Sequence, residues 1–190
     1  MSDFLKKLFG QKQQESESLP PPKDLGWQEL GNLTVRSGIV WVGDAQFAAS
    51  ENDGTIVDLM PGEYESRIRW LEFDGDRRVS HLVLARVGSN PLRGPQIGET
   101  WADTASQGVC DFEIYRLVSD PYDPYWEKAE EALTSGEPGR YVHDAEKDAV
   151  LIHTSSGWGD GEFKLYELMD GDERCGVEVE MIDLEDPYPD

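Results

Sequence analysis

Gly62-Glu63-Tyr64-Glu65-Ser66-Arg67-Ile68-Arg69-Trp70-Leu71-Glu72-Phe73-Asp74-Gly75-Asp76 carries the fold in its pattern. Tyr64, Ser66, Ile68 and Trp70 recur every second residue with charges between them, the period of a half-buried strand. Asp74-Gly75-Asp76 is a hairpin turn signal, because Asp and Gly accept the positive φ of a tight turn. Val79 to Val87 then reads as the returning strand, and its near-continuous run from Leu82 to Val87 predicts a central position.

The same plan recurs downstream. Gly161-Glu162-Phe163 opens a strand, Asp170-Gly171-Asp172 turns it, and a second strand returns to Leu184. Each hairpin is preceded by a glycine-led apolar run ending in an acid, Gly38 to Asp44 and Gly108 to Asp111. Asp-Gly turns are common, so coincidence competes with duplication here. A true repeat would make two β-rich halves related by an approximate two-fold axis.

Outside the hairpins, Thr55 to Met60, Val109 to Val118 and Val150 to His153 read as strands. Ser89 to Ser106, rich in Gly and Pro, reads as loop, and Pro124 to Thr134 as a helix with Pro in its first turn and Gly136 at its end. Residues 1–10 fit a short amphipathic helix, with Phe4, Leu5, Leu8 and Phe9 opposite Lys6 and Lys7. Alone it is too short to be stable in water, so it is either a frayed terminus or a weak membrane or partner contact. Residues 11–24 form a polar, then Pro-rich linker, giving a disordered N-terminal arm. Residues 25–184 form a single β-rich domain, and residues 185–190 an acidic tail. The expected fold is mainly β, a β-rich α+β domain of antiparallel sheets with one or two helices.

Composition bounds the function. The 190 residues hold 39 acids against 17 Lys and Arg, a net charge of −22. Nucleic acid is a poor partner for such a surface, since phosphate binding needs clustered cations. A basic protein partner would be attracted and its association accelerated. Cys110 and Cys175 are too few for a disulfide scaffold; two reduced thiols in the cytoplasm or one bridge are both allowed, and the absence of a signal peptide favours the thiols. No apolar run reaches the ~18 residues of a membrane span.

One loop concentrates reactive side chains: His153-Thr154-Ser155-Ser156-Gly157-Trp158-Gly159-Asp160-Gly161. Ser155 and Ser156 could act as nucleophiles or hydroxyl ligands, the glycines could open an anion nest, and Asp160 could orient a histidine or hold a cation. It matches neither a nucleophile elbow nor a phosphate loop. The structural alternative is a bend in which Trp158 plugs the core and Asp160 bonds backbone amides. Asp44, Asp111, Ser155, Ser156, Trp158, Gly159 and Asp160 are therefore the candidate site residues. The repeat would place Asp44 and Asp111 at the ends of equivalent strands. His81, His143 and His153 form no zinc-ligand pair, and no metal or cofactor is expected. A Ser155–His153–Asp111 triad can be drawn, with no motif behind it.

The order Gly38-Ile39-Val40, Val42-Gly43-Asp44, Pro61-Gly62-Glu63-Tyr64, Trp101, Val109, Asp111 and Ser156-Gly157-Trp158-Gly159-Asp160-Gly161-Glu162-Phe163 resembles the bacterial domain of unknown function 4241. The resemblance spans Gly38 to Leu184. It implies an aspartate after the first strand, Asp44 here, and a mid-chain Val-Asp-x-Gly element nearest Asp111. Cys110 stands here in place of its valine and Glu113 in place of its glycine. The family has no assigned activity, so the resemblance supplies a boundary and a marked loop but no reaction. The function expected from all this is an acidic interaction protein docking a basic protein partner, as small acidic immunity proteins do. The alternative is an enzyme or a small-ligand or metal site built on Ser155 to Asp160 with nearby carboxylates.

Overall fold

A computed structural model describes residues 19–47, 54–114, 133, 136–146 and 148–188. In chain order its strands are β1 (Lys23–Val35), β2 (Ile39–Asp44), β3 (Gly54–Asp58), β4 (Gly62–Phe73), β5 (Asp76–Arg86), β6 (Leu92–Ala102), β7 (Ser106–Asp111), β8 (Gly139–Asp144), β9 (Ala149–Ser155), β10 (Gly161–Asp170) and β11 (Glu173–Glu180). A 3-10 turn at Ala45–Phe47 follows β2. The strands form two antiparallel sheets, one in the order β1-β4-β5-β11-β10-β6, the other β3-β2-β7-β9-β8. The mainly β, antiparallel architecture expected from the hairpin pattern is therefore present.

The alternation that predicts the strands also builds the core. Tyr64, Ile68, Leu82, Leu84, Leu165, Val177 and Val179 of the larger sheet meet Val40, Val42, Val57, Val109, Val150 and Ile152 of the smaller. Near-continuous apolarity in β5 has a simple cause. Leu82 and Leu84 enter the core between the sheets, while Val83 and Ala85 pack with Leu168 and Cys175 on the outer face. Trp41, Cys110, Leu151, Ile114 and Leu133 form a further apolar cluster on the outer side of the smaller sheet.

The two hairpins share a sheet and meet through their returning strands, β5 against β11. Strand order is palindromic about that seam: β1 flanks the first hairpin as β6 flanks the second. Registers repeat as well. Val35 faces Gly62 and Leu33 faces Tyr64; Ala102 faces Gly161 and Thr100 faces Phe163. In the smaller sheet β2 pairs with β7 about Val42 and Val109. An approximate two-fold axis thus runs through both sheets, and the repeat seen in the chain is a repeat in space. The second half adds β8 and the longer Ser156–Asp160 connection.

Several local expectations are corrected. Ser89 to Ser106 is not all loop, since β6 occupies Leu92–Ala102. Gly94 and Pro95 are tolerated because β6 is an edge strand with register shifts, where a missing N–H costs little. The strand expected from Val109 to Val118 ends at Asp111, after which residues 112–114 are helical. β1 starts at Lys23, inside the expected linker. The tail is fastened: Tyr188 packs edge-on against Phe73 and its hydroxyl donates to the Pro20 carbonyl. The expected helix at residues 1–10 lies outside the described residues. So does the one at 124–134, apart from Leu133, which is buried.

Candidate functional site

In the Ser155–Asp160 loop the polar groups hold backbone. Ser156 is fully buried, and its Oγ donates to the Gly159 carbonyl at 2.7 Å. Asp160 Oδ1 accepts the Ala105 N–H at 2.9 Å. Trp158 stacks tilted on Phe73, with centroids 4.6 Å apart, and its Nε1–H donates to the Pro187 carbonyl at 3.0 Å. Gly157 is in the left-handed region at φ 57°, and a Cβ there would come within 2.8 Å of the Met181 carbonyl oxygen. Gly159, at φ 118°, lets the bend close.

Asp44 and Asp160 converge on one loop. Asp44 Oδ2 accepts the N–H groups of Asp103 and Thr104, and Asp160 takes the next, Ala105. Asp111 stands apart. It faces Val40, whereas Asp44 faces Gln107, so the two lie at opposite ends of the β2–β7 pair. The three carboxylates share no cleft. The drawn triad does not assemble either: His153 faces Gly108, while Asp111 lies beyond the Cys110–Leu151 pair. Burial lowers the His153 pKa. Ser155 and His153 line a hollow of about 240 Å³ with Thr104 and Gly136.

A larger cleft, about 590 Å³, lies on the outer face of the six-stranded sheet. Strand register places one lateral row across it: Trp27, Arg69, His81, Glu180, Lys164 and Glu99, each facing the next. A second row runs Arg67, Val83, Glu178 and Tyr166. Arg93 reaches in from β6 and donates to both Glu178 and Glu180, its guanidinium 4.4 Å over the Tyr166 ring. Lys164 bonds Asp183 at 3.0 Å and stands 3.5 Å from Glu180. At the far end Trp27 lies under Arg67, at 4.7 Å.

His81 sits at the floor, 2% exposed. Ser80 Oγ uses its one proton on the Arg69 carbonyl, so the His81 Nδ1–H must donate to Ser80 Oγ, 2.9 Å away. Nε2 is then a bare acceptor in the neutral ring, 3.6 Å from Glu178 and 3.8 Å from Glu180. Burial depresses the imidazole pKa to about 4, against the opposing pull of Glu178. Among the described residues no hydrogen bond reaches Nε2.

The two-fold axis shows what the fold requires at this place. It carries His81 onto Gly176, Glu180 onto Ala85 and Glu178 onto Val83. At those counterpart positions stand Val83, Ala85 and Gly176, packed with Leu168 and Cys175, and none is a charged residue. One flank of a two-fold scaffold thus holds buried carboxylates, Glu178 and Glu180, that the symmetry-related flank does without.

The sequence reading missed this cleft. Its residues come from β1, β4, β5, β6, β10, β11 and the segment after β11, and none belongs to a motif. One signal was available: His81, Glu178 and Glu180 interrupt runs that are otherwise apolar. Among the described residues, no group of three His, Cys, Asp or Glu is arranged to hold a metal ion, and no helix is long and apolar enough to cross a membrane. No protein-family model, no curated protein and no solved structure matches the chain.

Proposed function

We propose that the protein is an acidic binding protein that docks a basic protein partner in the cleft of the six-stranded sheet. The observation that carries this reading is the asymmetry about the two-fold axis. Taking the Glu178 and Glu180 carboxylates out of water costs several kcal/mol per ion, which pairing with Arg93 offsets, and an apolar replacement of such a cluster is often neutral or stabilising. The apolar twin flank supplies that replacement within the same molecule. Selection for binding accounts for a charged cluster that the fold does not need.

A net charge of −22 speeds the approach of a basic partner. Two buried cysteines that form no disulfide fit a reducing cytoplasm. The reading with an enzyme or ligand site at Ser155 to Asp160 draws support from the smaller hollow beside Ser155 and His153. It is the weaker reading, because Ser156 and Asp160 already hold backbone groups.

Affinity capture from a lysate of the source cells, at low and high salt, tests the docking. A basic protein should be retained at low salt and released at high salt. The Trp27→Ala, Tyr166→Ala double variant, which alters two cleft walls, should lose it. Retention that ignores both salt and the double variant would remove the reading.

A further inference from the structure

The cleft already contains a bound cation, and it belongs to the chain itself. Arg93 is 37% exposed at its side chain, whereas Glu178 and Glu180, to which it donates, are 10% and 7% exposed. The carboxylates are built into β11 at the centre of the sheet, but the guanidinium comes from an edge strand. The β6 ladder breaks register on both sides of the Tyr166–Gln96 pair, and Gly94 and Pro95 follow Arg93 directly. The Arg93 backbone pairs with Leu168, but its long, 37% exposed side chain can swing out by rotation about its own bonds without dismantling paired sheet, whereas the short, buried glutamates cannot.

What it would leave behind has a definite shape. Two carboxylates stand side by side, the Tyr166 ring offers its face, and His81 Nε2 offers a lone pair that Arg93 does not use. This demands a flat cation with several N–H donors. A guanidinium has five in a fixed fork and stacks on aromatic rings; an ammonium is a compact point charge that does neither. Glu180 keeps Lys164 at 3.5 Å, but Glu178 loses its permanent cation, so withdrawal of Arg93 is coupled to arrival of an equivalent cation.

We infer that the cleft is a guanidinium receptor, in which Glu178, Glu180, Tyr166 and His81 take an arginine side chain of the partner in exchange for Arg93. This deepens the proposed docking and rests on it. The swap keeps both carboxylates paired, adds a donor for His81 Nε2 and releases Arg93 to the surface. Arg93 is then a resident plug that keeps both carboxylates paired while the site is free of partner.

The test uses the full chain and its Arg93→Ala variant, with methylguanidinium, methylammonium and zinc as probes. Arg93→Ala should melt lower than the parent. Millimolar methylguanidinium should restore its Tm, and methylammonium and zinc should not. A short acetylated peptide with one arginine should bind Arg93→Ala about tenfold or more tighter than the parent protein, and tighter by a similar factor than its lysine counterpart. Equal rescue by methylammonium, rescue by zinc alone, or no rescue overturns the receptor.

If Arg93→Ala does not fold under any condition, the parent protein decides. The Arg93 side-chain Nε–H, followed by NMR, should lose its protection from exchange as the arginine peptide is added, and unchanged protection at saturating peptide overturns the exchange. A captured partner that depends on Trp27 and Tyr166 but binds equally well with its arginines changed to lysine would sink this inference and leave the docking intact.

Discussion

Asp44 and Asp111 do the same job at opposite ends of one strand pair. Asp44 Oδ1 accepts the N–H two residues on, at Gln46, and Asp111 Oδ1 accepts that of Glu113. Asp44 Oδ2 takes the successive N–H groups of Asp103 and Thr104, and Asp111 Oδ2 those of Arg36 and Ser37. A hydroxyl stands beside each set: Thr104 Oγ1 donates to Asp44 Oδ1 at 2.5 Å, and Ser37 Oγ, 3.1 Å from Asp111 Oδ2, shares its one proton with the Ile39 carbonyl at 2.8 Å. Each carboxylate ties the end of its strand to the loop that leads in from the neighbouring sheet, and the two-fold axis exchanges them.

Removing either carboxylate strands several buried donors, each worth about 1–3 kcal/mol when left unmade. Asp44→Ala and Asp111→Ala should each lower unfolding free energy by about 3 kcal/mol in urea titrations. The double variant should be close to additive, since the sites share no partner. Loss below about 0.5 kcal/mol in either would show that the loop finds other acceptors.

Gly157 should resist replacement. Its φ of 57° and the Met181 carbonyl 2.8 Å from a new Cβ together predict that Gly157→Ala destabilises by about 1–3 kcal/mol, through strain and displacement of the segment after β11. Gly171, at φ 62° with open space around it, should lose only the backbone part, about 1 kcal/mol. Equal losses at the two positions in thermal unfolding would contradict the close approach.

His81 predicts a pH dependence with a definite sign. Burial holds its pKa near 4, below the ordinary 6.5. The unfolded chain therefore takes up the proton first as pH falls. The contribution is fully present above about pH 6.5 and is lost on descent towards pH 4, on the order of 3 kcal/mol in total. His81→Gln should flatten urea-derived stability over that window. Asp24, lowered by Arg69, and Asp183, lowered by the Glu185 N–H and Lys164, lose their contributions only at lower pH, below the ordinary 3.8. A stability curve flat from pH 6.5 to pH 4 in the parent protein would contradict the buried neutral imidazole.

Both cysteines should be silent in the native state. Cys110 is fully buried, and Cys175 is 3% exposed with its thiol pKa pushed up by burial. A thiol-reactive dye should label neither in buffer and both in denaturant. Reaction kinetics should follow unfolding, because the thiolate must reach solvent to react. Fast native labelling of Cys175 would show that its outer-face cluster opens.

Hairpins, turns and the repeat were legible in the chain because they rest on local chemistry. Side-chain alternation sets a strand, Asp-Gly closes a turn, and Gly161-Glu162-Phe163 repeats Gly62-Glu63-Tyr64 wherever the halves end up in space. The roles of Asp44, Asp111 and Asp160 were half legible: the residues stood out, but whether they converge depended on strand direction. An antiparallel β2–β7 pair sends Asp44 and Asp111 to opposite ends, and their repeat positions alone do not reveal that.

Tertiary structure alone decided the rest. β6 exists because β10 offers it a ladder, in spite of Gly94 and Pro95. The cleft exists because β5 meets β11, which brings Trp27 into one row with Glu180 and Lys164 across five strands. Periodicity records which face of a strand is buried and is blind to which strand lies beside it. Pairing between distant segments is settled only when the whole sheet closes over its core, and the proposed binding site is a product of that closure.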